Sequence, residues 1–146
     1  MNVWADMEIA VEYVIGLVLA VVVFVGAQVA GLTRDRAFYA IALIVIATYY
    51  VLFAALTGSV LIVTQESLAA LLFIAAAIVG FKRFPWLVVI GIGGHGVFDA
   101  VHHHFIENPG VPSWWPGFCG TFDVVYAACL GGLLVAERRR SARPHA

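Results

Sequence analysis

Charge is what this sequence has least of. Only 12% of its 146 residues are Asp, Glu, Lys or Arg, and 63% are hydrophobic, where a soluble chain is about a quarter charged and half apolar. The mean hydropathy is +0.99. A water-soluble globular domain is thereby excluded, because a chain this short leaves much of its surface exposed and here has too few polar side chains to cover it. The net charge is −1, so nothing points to a nucleic-acid partner; the few basic residues are clustered, and the clustering matters more than the sum. Cysteine is scarce as well. Cys119 and Cys129 are the only two, ten apart. They form no zinc knuckle, redox dithiol or disulfide framework, and read as free thiols packed in helices. A positive N-terminal lead is missing too. Met1 to Glu8 is acidic, and the apolar run that follows is too long for a secretory signal core, so it reads as a retained helix. There is no convincing internal repeat and no separate soluble domain.

What is present is five apolar segments separated by charges or turn signals. They span about 9–31, 37–56, 60–81, 86–106 and 118–136. Each is near the ~20 residues that cross a ~30 Å hydrocarbon core, and unbroken apolar runs of this length in lipid must be helical. The expected fold is therefore a single all-α domain, an integral membrane bundle of five transmembrane helices. Its eight Lys and Arg residues stand in three places: Arg34 and Arg36, Lys82 and Arg83, and the tail with Arg138, Arg139, Arg140 and Arg143. With five spans, all three fall on one side, and Asp6, Glu8 and Glu107 fall on the other. The positive-inside rule then gives an extracytoplasmic N-terminus and a cytoplasmic C-terminus. Residues 138–146 read as a disordered basic cytoplasmic tail, acting as a stop-transfer signal or touching anionic lipid heads.

Ionisable residues within spans are costly, and each is a functional candidate. At ~1.5 Å per residue, Glu66 lies about 10 Å, Asp123 about 8 Å, His102 about 6 Å, Asp99 about 10 Å and His95 about 16 Å below the outer boundary. Glu12 lies nearer the surface, and Tyr49 and Tyr50 fall in the same layer. Every helix thus adds a polar group to the outer half, while the inner half is nearly pure Ala, Val, Leu, Ile and Gly. A shared pocket open to the outer face would produce this pattern. On the fourth segment, His95, Asp99 and His102 share one helical face; His103 flanks it and His104 points away. Gly91, Gly93, Gly94 and Gly96 permit close helix packing. Imidazole and carboxylate suit zinc, iron or copper, and the expected ligands are His95, Asp99, His102 and Asp123. A hydrogen-bonded His/Asp proton network without metal, and purely structural pairing, are the other readings.

The outer loop from Glu107 to Pro116 is stiffened by three prolines. Its Trp114 and Trp115 suit either the interfacial aromatic belt or, with Tyr49 and Tyr50, the wall of a site for an apolar ligand. The string His95-Gly96-x-x-Asp99-x-x-His102-His103, followed by Asn108 to Pro112, Trp114-Trp115-Pro116, Phe118-Cys119 and Asp123, resembles a family of small uncharacterised bacterial integral membrane proteins. The resemblance covers about a fifth of the chain. It implies a bacterial inner-membrane location and supplies no reaction. Zinc-dependent membrane hydrolases of the ceramidase type are similar in using histidines and an aspartate, but the His pair they carry on a late helix has no counterpart here. Sterol isomerases of the emopamil-binding type also have five helices and a His-x3-acid pair, which His95 and Asp99 echo.

The function expected is that of a metal-dependent membrane enzyme, a hydrolase or oxidoreductase, acting on a lipid-like or apolar substrate. Glu66 or His103 would be the general base. A non-enzymatic metal or proton carrier, chaperone or sensor needs the same ligands without a substrate pocket. A structural subunit of a larger membrane complex is the third reading. Membrane lipid and a second copy of the chain are the expected partners.

Overall fold

The structure is a computed structural model that describes residues 3–142, with side chains described from residue 11 onward. It is all-helical: α1 (Val3–Val29), α2 (Arg36–Thr57), α3 (Val60–Lys82), α4 (Pro85–Val101) and α5 (Trp115–Ser141), with 3-10 turns at Leu32–Arg34 and His102–His104. No strand occurs among the described residues. By length and composition α1, α2, α3 and α5 can each cross a membrane; α4, at 17 residues, is shorter.

Local chemistry sets the helix ends. The Asp35 carboxylate accepts from the Ala37 N–H at 2.8 Å and caps α2. Gly58, at φ 72°, closes α2 in the left-handed conformation that glycine tolerates. Ser59 caps α3, and Pro85 and Pro116 stand in the first turns of α4 and α5. The fourth helix was expected to run to Ile106 but ends at Val101. There the chain tightens, and the Phe105 and Ile106 N–H groups both donate to the His102 carbonyl. The fifth helix starts three residues early, at Trp115, and runs through Arg138–Arg140 instead of releasing them into a disordered tail. Arg143 to Ala146, and the side chains of Asp6 and Glu8, lie outside the described residues.

Helix α5 is the spine of the bundle. It packs along α1 on one side and α4 on the other, while α3 joins α4 to α2. Small residues set the spacing. A Cβ on Gly16 of α1 would strike the Phe118 carbonyl of α5, and one on Gly80 of α3 would lie 2.6 Å from Val88 Cγ2 of α4. Tyr39, Leu43, Val88, Ile92, Tyr126 and Leu130 form the core between α2, α4 and α5. The α1 and α2 backbones do not approach one another, and α2 reaches α5 through aromatic rings, Tyr39 to Tyr126 and Tyr49 to Trp115. A gap therefore runs between α1 and α2 with α5 as its floor.

Candidate metal centre

Two five-residue strings build the centre. On α4 the sequence reads His95-Gly96-Val97-Phe98-Asp99, and on α5 it reads Cys119-Gly120-Thr121-Phe122-Asp123. In each, the first and last residues are four apart and share one helical face, and the glycine follows the first. The glycines face each other. A Cβ on Gly96 would lie 2.8 Å from the Gly120 carbonyl oxygen and 3.0 Å from Asp123 Cβ; one on Gly120 would lie 3.1 Å from the Gly96 oxygen and 3.4 Å from Asp99 Cβ. The contacts are reciprocal, so the two strings meet as an approximate two-fold pair. Backbone contact at the glycines brings the four flanking side chains together.

His95, Asp99, Cys119 and Asp123 each offer one ligand atom, and these four atoms lie within 4.8 Å of one another. All four residues are buried. The His95 Nδ1 is 2.8 Å from Asp123 Oδ2 and 3.5 Å from Asp99 Oδ2. The Tyr50 hydroxyl donates to Asp99 Oδ1 at 2.7 Å. Asp99 Oδ2 and Asp123 Oδ1 are buried without a hydrogen-bond partner. A buried carboxylate oxygen with no donor is costly, and a cation or a proton is what satisfies it.

His102 was expected among the ligands but belongs to a second pair. Its Nε2 is 2.8 Å from Glu66 Oε1, and its ring stacks on Tyr50 with centroids 4.0 Å apart. Asn108, from the loop between α4 and α5, donates to the same Glu66 oxygen at 2.8 Å and to the Tyr50 carbonyl at 3.2 Å, while its own carbonyl accepts from the Gly110 N–H. Tyr50 thus touches both pairs. The His102 ring still meets Phe98 of α4, with centroids 5.3 Å apart, and Tyr50 stands between it and the His95 group.

Two clefts reach the four-residue group. One, of about 590 Å³, is lined by Gly96, Asp99 and Gly120 together with Glu12 and His103. The other, of about 370 Å³, occupies the gap between α1 and α2, with Val23, Val45, Tyr49, Phe118 and Cys119 among its walls. A space of about 670 Å³, sharing Tyr49, Trp115 and Phe118 with it and adding Glu12 and Trp114, continues the gap. Of the expected site residues, His95, Asp99 and Asp123 converge on one point, with Tyr50 holding Asp99. Glu66 is enclosed by His102 and Asn108. His103 is exposed on the cleft that also holds Glu12. Tyr49, Trp114 and Trp115 stand along the apolar gap.

Cys119 and Asn108 were not expected to take part. The signal for Cys119 was its place in the string that repeats the His95 string, glycine, phenylalanine and aspartate included. No family model, curated relative or solved structure matches this chain, so the site is read on its own geometry.

Proposed function

We propose that the protein is a metal-dependent membrane enzyme whose ion is held by His95, Asp99, Cys119 and Asp123 and whose substrate is lipid-like. The carrying observation is the convergence of four buried ligand atoms within 4.8 Å from two helices. One nitrogen, one sulfur and two oxygens suit zinc or iron. Zinc bonds of about 2.0–2.3 Å place tetrahedral ligand atoms roughly 3.3–3.7 Å apart, so the widest pair would close by about 1 Å and the His95–Asp123 pair, at 2.8 Å, would open by about 0.5 Å. The buried acids at this level, Glu66, Asp99 and Asp123, face only two buried histidines as bases, which leaves room for added positive charge.

The two clefts supply the division of labour. The apolar gap takes the chain of a lipid-like substrate from the bilayer side, with Cys119 in its wall. The cleft bearing Glu12 and His103 admits water and passes protons. The reaction class is hydrolysis or oxidation. Four protein ligands fill a zinc tetrahedron, so for hydrolysis one of the two aspartates would yield its place, or a fifth position would open, to a water that the ion would ionise near neutral pH. His103, on that cleft, is better placed as general base than Glu66, whose oxygen is already shared by His102 and Asn108. All five helices span the membrane in this reading. Helix α4 at 17 residues is within the range of about 17–25 for a span, and the arginine-bearing end faces the cytoplasm of a bacterium.

A second reading has its own support. His95–Asp123 and His102–Glu66 each close at 2.8 Å without an ion, and Tyr50 touches both. In that reading the protein handles protons and needs no metal. Elemental analysis of purified and metal-reconstituted protein separates the two. The metal reading expects about one ion per chain, absent from His95→Ala and retained in His103→Ala. No ion in any preparation contradicts it. Mass spectrometry of co-purified lipid, with and without a Val45→Trp block of the gap, tests the substrate side; identical lipid content in both contradicts a lipid-like occupant.

A further inference from the structure

The other end of the bundle carries a second built feature, independent of the metal centre. A cleft of about 600 Å³ is lined by Arg36 at the start of α2, Arg83 at the end of α3, and Trp86, Glu137 and Arg138 from α4 and α5. Three sequence-distant segments thus bring guanidinium groups to one space, against one carboxylate. Among the described residues no Arg or Lys forms an ion pair; the bridges present all involve histidine. The Arg138 guanidinium sits over the Trp86 ring, 5.6 Å from its centroid, a cation–π contact that holds the group in place.

A narrower space of about 180 Å³ shares Arg36 and Glu137 with this cleft and reaches Arg34, Thr33 and Tyr39. Tyr39 is 6% exposed. Its hydroxyl is buried beside Thr33, which lines the same wall. Leu134 lines both spaces, so the polar cleft has an apolar side.

We propose that this cleft binds the phosphate of an anionic phospholipid, with Arg36, Arg83 and Arg138 as its charged contacts. Guanidinium forks match phosphate oxygens in pairs, and basic pockets between helix ends take acidic lipid headgroups. The apolar side accommodates the start of an acyl chain, which a free phosphate ion does not need.

Native mass spectrometry of the detergent-purified protein tests the assignment. The probes are phosphatidylglycerol, phosphatidylcholine and inorganic phosphate, each titrated against the full chain. Phosphatidylglycerol should give a saturable single adduct at concentrations where phosphatidylcholine gives none. The double variant Arg83→Gln/Arg138→Gln should weaken that adduct by at least about ten-fold. The double variant Arg139→Gln/Arg140→Gln removes the same charge outside the cleft and should bind as the parent does. All four positions are exposed, so both variants should fold. Equal losses in the two variants would overturn the site in favour of diffuse attraction. Displacement of the lipid adduct by millimolar inorganic phosphate would overturn the lipid as its occupant.

Discussion

The two histidine–carboxylate pairs differ less in themselves than in their neighbours. His95–Asp123 and His102–Glu66 are both buried and both close at 2.8 Å. Each carboxylate also keeps one oxygen without a partner. Around His102–Glu66, however, the remaining neighbours are an amide and a stacked phenol ring, groups that complete a hydrogen-bond network. Asn108 ties that pair to the loop between α4 and α5, so its evident work is to fasten the loop onto α2 and α3. Around His95–Asp123 the neighbours are another carboxylate and a thiol, which are groups that want a cation. The same pair of side chains is a clamp in one place and, in the proposed function, part of a ligand set in the other. A count of histidines and acids in the sequence cannot separate the two.

Breaking this contrast should give effects in a definite order. Asp123→Asn removes a ligand and should weaken metal binding by at least about a hundred-fold, beyond the range for outer-shell changes, while Glu66→Gln should leave it within about ten-fold; equilibrium dialysis with a chromogenic chelator reads both. Gly96→Ala comes next. Its Cβ meets the Gly120 carbonyl, and separating α4 from α5 should cost about 1–3 kcal/mol and lower metal occupancy as well, seen as a reduced melting temperature in detergent and a substoichiometric ion. Asn108→Ala should cost about 1–2 kcal/mol of stability through its lost hydrogen bonds and leave metal content unchanged. Smallest is Gly94→Ala, where a Cβ meets nothing within 4 Å; stability should move by less than about 0.5 kcal/mol. A Gly94 effect as large as the Gly96 effect would mean that the glycines act by flexibility and not by close approach.

Much of this was legible in the sequence, for physical reasons that also mark where legibility ends. Five apolar runs punctuated by Arg34–Arg36, Gly58, Lys82–Pro85 and the loop from Glu107 give the helices, because lipid leaves the backbone no alternative to helix. Helix-depth arithmetic brought His95, Asp99, Asp123, Glu66 and Tyr50 to one level, and these five do lie in one connected network. What the sequence hid was partner choice. A helical wheel places His102 beside His95, but Tyr50 packs against both rings and Glu66 takes the His102 Nε2. It likewise shows nothing of Asn108, whose role depends on how a loop folds back. Cys119 was hidden differently. His-Gly-x-Phe-Asp and Cys-Gly-x-Phe-Asp are visibly related, but a cysteine without a paired motif reads as packing until a second helix brings an acid and an imidazole against it. The arginine-bearing end was under-read for a similar reason, since Arg36, Arg83 and Arg138 share a cleft only once three helix ends meet.

The most direct test of the central claim is X-ray absorption spectroscopy at the metal edge of the loaded protein, beside its Cys119→Ser variant. One sulfur at about 2.3 Å with nitrogen and oxygen at about 2.0–2.2 Å, the sulfur vanishing in the variant, is the result predicted. A coordination sphere of nitrogen and oxygen alone in the parent protein, or a sulfur that survives loss of Cys119, would contradict it.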